Sequence, residues 1–144
     1  MQAATDDARR LAPLALWRYA HDYLRCAADL TRDHQTLCGE SQVAYHLCAQ
    51  GLEFALHAYL GACGMTADEL RAHYRHALQA SRAACEARGM AALPTDCDAA
   101  FAEVAACHHA DGFRCLPRAD DAPATVGPLL DAGTWILAQA APHV

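Results

Sequence analysis

Helix-breaking residues divide the chain into five segments in which apolar side chains recur every three or four positions. In the first segment, residues 13–37, the recurring side chains are Leu16, Tyr19, Ala20, Tyr23, Ala27 and Leu30. This spacing places them on one face of an α-helix and leaves the charged residues mainly elsewhere. β-branched residues are scarce, and no stretch alternates apolar and polar residues as a strand would. The sequence therefore predicts an all-α fold.

The positions of the breakers also predict where the other helices begin and end. Gly64 and Gly89 fit the position that follows a helix, and Ser41 and Thr95 fit the N-cap. Thr66-Ala67-Asp68-Glu69 has the pattern of a capping box, in which two side chains satisfy free backbone donors. The four further helices are predicted at about residues 42–63, 67–88, 95–110 and from 125–128 onwards.

The length of the chain, 144 residues, fits one domain with a buried core. We expect a single five-helix bundle over residues 1–144, ordered from about residue 11 to 141. No apolar run reaches the roughly 18 residues that span a bilayer, and the acidic first seven residues lack a signal core. These features predict a cytoplasmic protein without a membrane partner, whose eight cysteines are reduced.

The charge balance limits which partners the surface can attract. The net charge is −6 and no DNA-binding motif is present, which argues against a surface that coats nucleic acid. Every basic residue is arginine, a side chain that binds phosphate in a bidentate fork. The charge balance is therefore still compatible with a small local site for an anion.

A polar stripe runs along the otherwise apolar second helix. Its members recur at intervals of four, four, three and four: Gln42, His46, Gln50, Glu53 and His57. The stripe faces solvent, a cleft or a subunit interface, and the sequence alone leaves these three open. In a cleft, burial would raise the pKa of the Glu53 carboxyl and lower that of the His57 imidazole, whereas pairing would oppose both shifts.

Arginine and histidine alternate at the start of the third helix, at Arg71, His73, Arg75 and His76. The macrodipole does not favour arginine near an N-terminus, so an anion, the Glu53 carboxylate or plain solvation must account for it. An Arg–His pair can cleave RNA without metal, because histidine transfers the proton while arginine stabilises charge on the phosphate. Arg71 and His76 are the candidate pair.

Metal ligation and cofactor binding are not expected. His and Cys are plentiful near residues 97–115, but no C-x-x-C or H-x-x-x-H spacing occurs. Glu53 and His57 are spaced by four rather than by the three of di-iron bundles. No glycine-rich phosphate loop is present.

The residues of the second and third helices resemble the HEPN family. The resemblance lies in the run from Ala44 to Leu60, in Gly64 and in the run from His73 to Leu78. The family often shows a small-apolar, Glu, apolar, Lys, Ala, apolar-Leu pattern, then a glycine, then a Gly-His-Asp/Asn-Leu element. His57 stands where the family has lysine, and Arg75 stands where a glycine precedes the histidine.

The resemblance extends in helix order over about residues 11–140 and includes Arg114, near a family element that often reads Arg-Tyr-Pro. It implies an up-down helical bundle that commonly forms homodimers, with a nucleotide- or RNA-related role. Some relatives are ribonuclease toxins, and others are partners of a small nucleotidyltransferase or an antitoxin. The family's ribonuclease signature is Arg, four to six residues, then His, and Arg71 and His76 satisfy its spacing.

Three functions follow as hypotheses. The first is a dimeric module that binds a nucleotide, RNA or protein partner through a polar site made of Glu53, His57, His73, Arg75 and Arg114, with Arg71 and His76 bordering it. The second is a metal-free endoribonuclease that uses Arg71 and His76. The third is a structural interaction protein whose polar stripe is ordinary surface.

Overall fold

The computed structural model describes residues 12–34, 42–109, 112–113 and 126–144. The six α-helices in these residues are α1 (Pro13–His34), α2 (Gln42–Ala62), α3 (Ala67–His73), α4 (Leu78–Glu86), α5 (Thr95–Cys107) and α6 (Val126–Ala140). A short 3-10 helix, Ala141–His143, follows α6. Two-residue strands β1 (His108–His109) and β2 (Gly112–Phe113) pair antiparallel. The all-α prediction is confirmed, because this ladder is the whole of the strand content in the described ranges.

Helix α2 lies at the centre of the described helices. It makes its largest contact with α1 and also packs against α4 and α6. From Gly51 to Leu60 every residue is buried except the half-buried Phe54. A helix that is buried nearly all round can carry polar groups only where they find partners. Any polar side chain in this stretch therefore has a structural or functional reason to be there.

Two glycines let α1 approach both α2 and α6. A Cβ added at Gly51 would lie 2.8 Å from Leu24 Cγ, and one added at Gly133 would lie 2.5 Å from Leu24 Cδ1. Both separations are far below ordinary van der Waals contact. The Leu24 side chain thus fills the space that these glycines leave between the three helices. This close packing fixes α2, which carries the candidate site, within the bundle.

The predicted helix ends are mostly correct. Gly64 and Gly89 both have positive φ, 96° and 98°, and follow α2 and α4. Thr66 and Glu69 form both hydrogen bonds of the capping box. Thr95 is the first residue of α5 and not its cap, because Pro94 occupies that position without a side-chain hydrogen bond. Helix α5 ends at Cys107, and the predicted cap Ser41 lies outside the described residues.

The prediction of one continuous third helix over residues 67–88 is wrong. Helix α3 ends at His73 and α4 begins at Leu78, with a turn over residues 74–77 between them. His76 has a φ of 55°, which a right-handed helix excludes. No glycine or proline occurs in the turn, so local sequence does not mark it. Contacts from other parts of the fold, given below, hold it in place.

Arg82 joins α4 to α5. Its guanidinium is bound to Glu86 at 2.8 Å and to Asp98 at 2.7 Å. The same group lies 5.3 Å from the centre of the buried Phe101 ring. These contacts connect the start and middle of α5 to α4. They thereby help position the end of α5, where the next residue is His108.

The described residues also test the predictions about membrane spans and about the oxidation state of the cysteines. None of them is long and apolar enough to cross a membrane. Five cysteines, namely Cys26, Cys48, Cys63, Cys85 and Cys97, are free thiols, as predicted. Cys107 is disulfide-bonded, so the prediction that all cysteines are reduced is wrong at this position.

Candidate functional site

Three side chains from separate parts of the chain meet in the interior. Glu53 comes from α2, His76 from the turn between α3 and α4, and His108 directly follows α5. Glu53 Oε2 lies 2.5 Å from His108 Nε2 and 3.2 Å from His76 Nδ1, and the two nitrogens are 3.3 Å apart. Glu53 and His108 are 5% and 2% exposed. We call these three residues the Glu53 cluster.

The backbone of His76 is held in an unfavourable conformation at this cluster. Its left-handed φ of 55° costs a non-glycine residue roughly 1–3 kcal/mol. The Glu53 carboxylate offsets this cost, because its Oε1 accepts the main-chain N–H of His76 at 3.2 Å while its Oε2 faces the ring. One carboxylate therefore positions both the backbone and the imidazole of His76.

His57 and Ser81 hold the turn from the other side. The carbonyl oxygen of Tyr74 accepts from His57 Nε2 at 3.1 Å, from Ser81 Oγ at 3.4 Å and from the Ala77 N–H at 3.1 Å. His57 is 7% exposed and Ser81 is fully buried. Since α2 supplies His57 and α4 supplies Ser81, the turn is determined by packing rather than by its own residues.

The hydrogen bonds of His76 assign its tautomer. Arg75 Nε lies 3.2 Å from His76 Nε2, and a guanidinium can only donate. His76 Nε2 is therefore the acceptor, and the ring proton sits on Nδ1, where it is donated to Glu53 Oε2. His108 Nε2 also donates to this oxygen. The 3.3 Å between the two nitrogens is then one edge of a triangle around Oε2 and not a hydrogen bond.

The electrostatics of the site follow from burial and close pairing. Burial raises the pKa of Glu53, but the His108 hydrogen bond, the nearby His57 and the His76 N–H together lower it below its ordinary value. Burial lowers the pKa of His57 although Glu53 opposes the shift. Burial and then the neighbouring His108 lower the pKa of His46. The site thus favours an ionised Glu53 carboxylate and the neutral forms of His57 and His46.

A consequence for stability can be measured at His57. Because its folded pKa is lowered, the unfolded chain binds more protons below about pH 6.5, so stability falls as the pH falls from there. Urea unfolding of wild type and His57→Gln between about pH 7.5 and 5.5 tests this, since glutamine retains a donor for Tyr74. As the pH falls, we expect the free energy of unfolding of His57→Gln to decrease by up to about 1.4 kcal/mol less per pH unit than that of wild type. His46 titrates in both proteins and therefore does not contribute to the difference between them. If the free energy of unfolding depends on pH equally in both proteins, burial does not lower the pKa of His57.

The structure brings together some of the predicted site residues and separates others. Glu53, His57 and His76 meet in the interior, whereas Gln42 of the stripe is exposed and His46 and Gln50 are half-buried. The C-terminal end of the stripe is therefore buried, and its N-terminal end faces solvent.

The basic residues predicted for the site lie at its edge or outside it. Arg71 is exposed and pairs with Asp68 at 2.7 Å, and His73 is exposed with its ring against Tyr74. Arg75 is exposed and contacts His76. Arg114 lies outside the described residues. The arginine beside His76 is therefore Arg75 rather than the predicted Arg71.

Sequence reasoning missed two residues of the site, His108 and Ser81. His108 is 55 residues from Glu53 along the chain, so no short spacing links them. The one signal for His108 was a pair of histidines at the end of a predicted helix. Ser81 carried no signal, because a serine within a helix is usually a surface residue.

Chemically, the site joins a buried carboxylate to an imidazole whose side chain is 19% exposed. The Glu53 carboxylate accepts the Nδ1–H of His76, and the Nε2 lone pair of His76 faces Arg75. This is the arrangement that orients a histidine for proton transfer. No protein-family model matches this chain, and neither curated proteins nor solved structures yield a match.

Proposed function

We propose that this protein is a HEPN-like helical module that binds a phosphate group of RNA or of a nucleotide at Arg75 and His76. The observation that carries the proposal is the pair of hydrogen bonds on His76, from Arg75 to Nε2 and from Nδ1 to Glu53. The guanidinium and the imidazole edge lie side by side at the surface. The guanidinium can donate to a phosphate oxygen, and the adjacent Nε2 lone pair can accept a hydrogen bond from a ribose hydroxyl of the same ligand.

The likeness to the HEPN family supports this choice of ligand. The two residues that carry the likeness most directly, Glu53 and His76, are 23 positions apart in sequence and in contact in the fold. The contact supports a shared reason for the family-like pattern in α2 and in the turn after α3. A homodimer with an up-down arrangement, and a nucleotidyltransferase or antitoxin as partner, belong to the same proposal.

A second candidate function, metal-independent RNA cleavage, is favoured by the orientation of His76. With its proton held on Nδ1 by Glu53, Nε2 can take the proton of a 2′-hydroxyl once Arg75 turns its N–H from Nε2 to the phosphate. The 2′ oxygen then bonds to phosphorus and the bond to the 5′ oxygen breaks, with water protonating the departing oxygen. Arg75 stabilises the charge that develops on the phosphate. Arg75 takes the role that the sequence suggested for Arg71.

Binding of a short single-stranded RNA, measured by fluorescence anisotropy in EDTA, tests the proposal. We expect Arg75→Ala to weaken binding at least about 10-fold, since a hydrogen bond to a charged group contributes roughly 1.5–3 kcal/mol. The slope of log K against log salt should fall by about 0.7 with the loss of one phosphate contact. Arg71→Ala removes the same charge from a neighbouring exposed position and should weaken binding much less.

Comparing the RNA affinities of Arg75→Ala and Arg71→Ala shows which of the two arginines binds the phosphate. Equal losses in both variants would mean that only net charge attracts the RNA, and the proposed site would be rejected. A larger loss in Arg71→Ala would restore the pair suggested by the sequence. If wild type binds neither RNA nor nucleotides, the structural interaction hypothesis replaces this one.

A further inference from the structure

We infer that the Glu53 cluster binds one divalent transition-metal ion of the zinc class, with Glu53 Oε2, His76 Nδ1 and His108 Nε2 as ligands. These three atoms lie within 4.8 Å of one another. The ligands come from α2, the turn after α3 and the residue after α5. This explains why no short spacing of histidines or cysteines in the sequence revealed them.

The distances fit a tetrahedral ion. With bonds of about 2.0–2.1 Å, neighbouring ligand atoms of a tetrahedral zinc ion are about 3.3–3.4 Å apart. Two of the three separations, 3.2 Å and 3.3 Å, are already close to this length. The third, 2.5 Å between Glu53 and His108, must open by roughly 0.8 Å to reach the tetrahedral separation. The remaining coordination position would be left for water or a substrate atom.

The donor set selects the class of ion. Two imidazoles and one carboxylate suit zinc and its first-row neighbours, whereas magnesium and calcium prefer oxygen ligands alone. Glu53 Oε1 is occupied by the His76 N–H, so the carboxylate offers one oxygen and is held by a second contact. An outer hydrogen bond of this kind orients metal ligands and raises affinity.

Metal binding would reverse the tautomer of His76. Coordination needs the lone pair of Nδ1, so the ring proton must move to Nε2, and Arg75 can then no longer donate to that atom. Arg75 is exposed, so its side chain can adopt another rotamer at little cost in free energy. His76 therefore serves either as the proton acceptor described above or as a metal ligand, but not as both. The metal site itself does not depend on RNA being the ligand.

Titration of Zn²⁺ into chelator-treated protein by calorimetry tests the site. We expect saturable binding of one ion per chain. His108→Ala should lower the affinity at least about 10-fold, because even the loss of a residue outside the ligand sphere costs 10–100-fold. His21→Ala removes an exposed histidine on α1 that pairs with Asp22, and its affinity should equal that of wild type.

Co²⁺ provides a readout that needs no variant, should His108→Ala fail to fold. Wild type loaded with Co²⁺ should give the d–d bands of a nitrogen and oxygen site, without the intense charge-transfer band of a thiolate ligand. A thiolate band would assign the ion to the free cysteines and overturn the inference. So would the absence of one-to-one binding, or equal losses in His108→Ala and His21→Ala. RNA binding in EDTA is measured separately, so failure of either idea leaves the other standing.

Discussion

Replacing Glu53 with alanine is expected to lower the free energy of unfolding by about 3–5 kcal/mol, because each buried donor left without an acceptor costs about 1–3 kcal/mol. The Glu53 carboxylate is the acceptor for three donors: the His76 N–H, the His76 ring and the His108 ring. In the variant these donors lose their acceptor in a site that water hardly reaches. The strained backbone of His76 also loses the contact that holds it.

Urea unfolding at pH 7 measures this effect, and Glu103→Ala is the matched control. Glu103 is an exposed glutamate in the interior of α5, so its removal should leave stability close to that of wild type. Because the folded pKa of Glu53 is lowered, its contribution is present above its ordinary pKa of about 4.3 and is lost as the pH falls through the folded value. If Glu53→Ala were as stable as wild type, the hydrogen bonds of the Glu53 cluster would contribute nothing to stability, and the prediction would be wrong.

The parts of the fold that sequence predicts well are those that local chemistry determines. The capping box at Thr66 and Glu69 needs only residues three apart, and Gly64 and Gly89 end helices because they tolerate positive φ. The spacing of Glu53 and His57 placed them on one face of an apolar helix. Their burial follows because that helix is the centre of the described bundle.

The turn over residues 74–77 could not be predicted in this way. Its sequence, Tyr-Arg-His-Ala, contains no helix breaker, and the carbonyl of Tyr74 is held by His57 from α2 and Ser81 from α4. Such contacts exist only once the helices have packed. For the same reason the spacing of Arg71 and His76 along the chain did not identify the arginine that lies beside His76. His108 completes the cluster only through the packing of α5.

The largest expected effect on activity concerns the imidazole of His76. If the protein cleaves RNA by proton transfer, His76→Ala should reduce the single-turnover rate about 10²- to 10⁴-fold, the usual contribution of a general base. Glu53→Gln should also reduce the rate, because an amide no longer fixes the proton on Nδ1. Glu53 acts here as a positioning residue, so RNA affinity in Glu53→Gln should change much less than the rate. His21→Ala serves as the control with wild-type rate.

The response of cleavage to metal separates proton transfer from metal-assisted hydrolysis. In EDTA, His76 keeps its Nε2 lone pair, so wild-type cleavage should be undiminished. Excess Zn²⁺ should suppress it, because coordination through Nδ1 forces the proton onto Nε2 and removes the base. Cleavage that disappears in EDTA and returns with Zn²⁺ would instead assign the chemistry to a metal-bound water. Cleavage that is unaffected by His76→Ala would mean that the reaction takes place elsewhere, because no other imidazole among the described residues combines a buried carboxylate partner with an adjacent arginine.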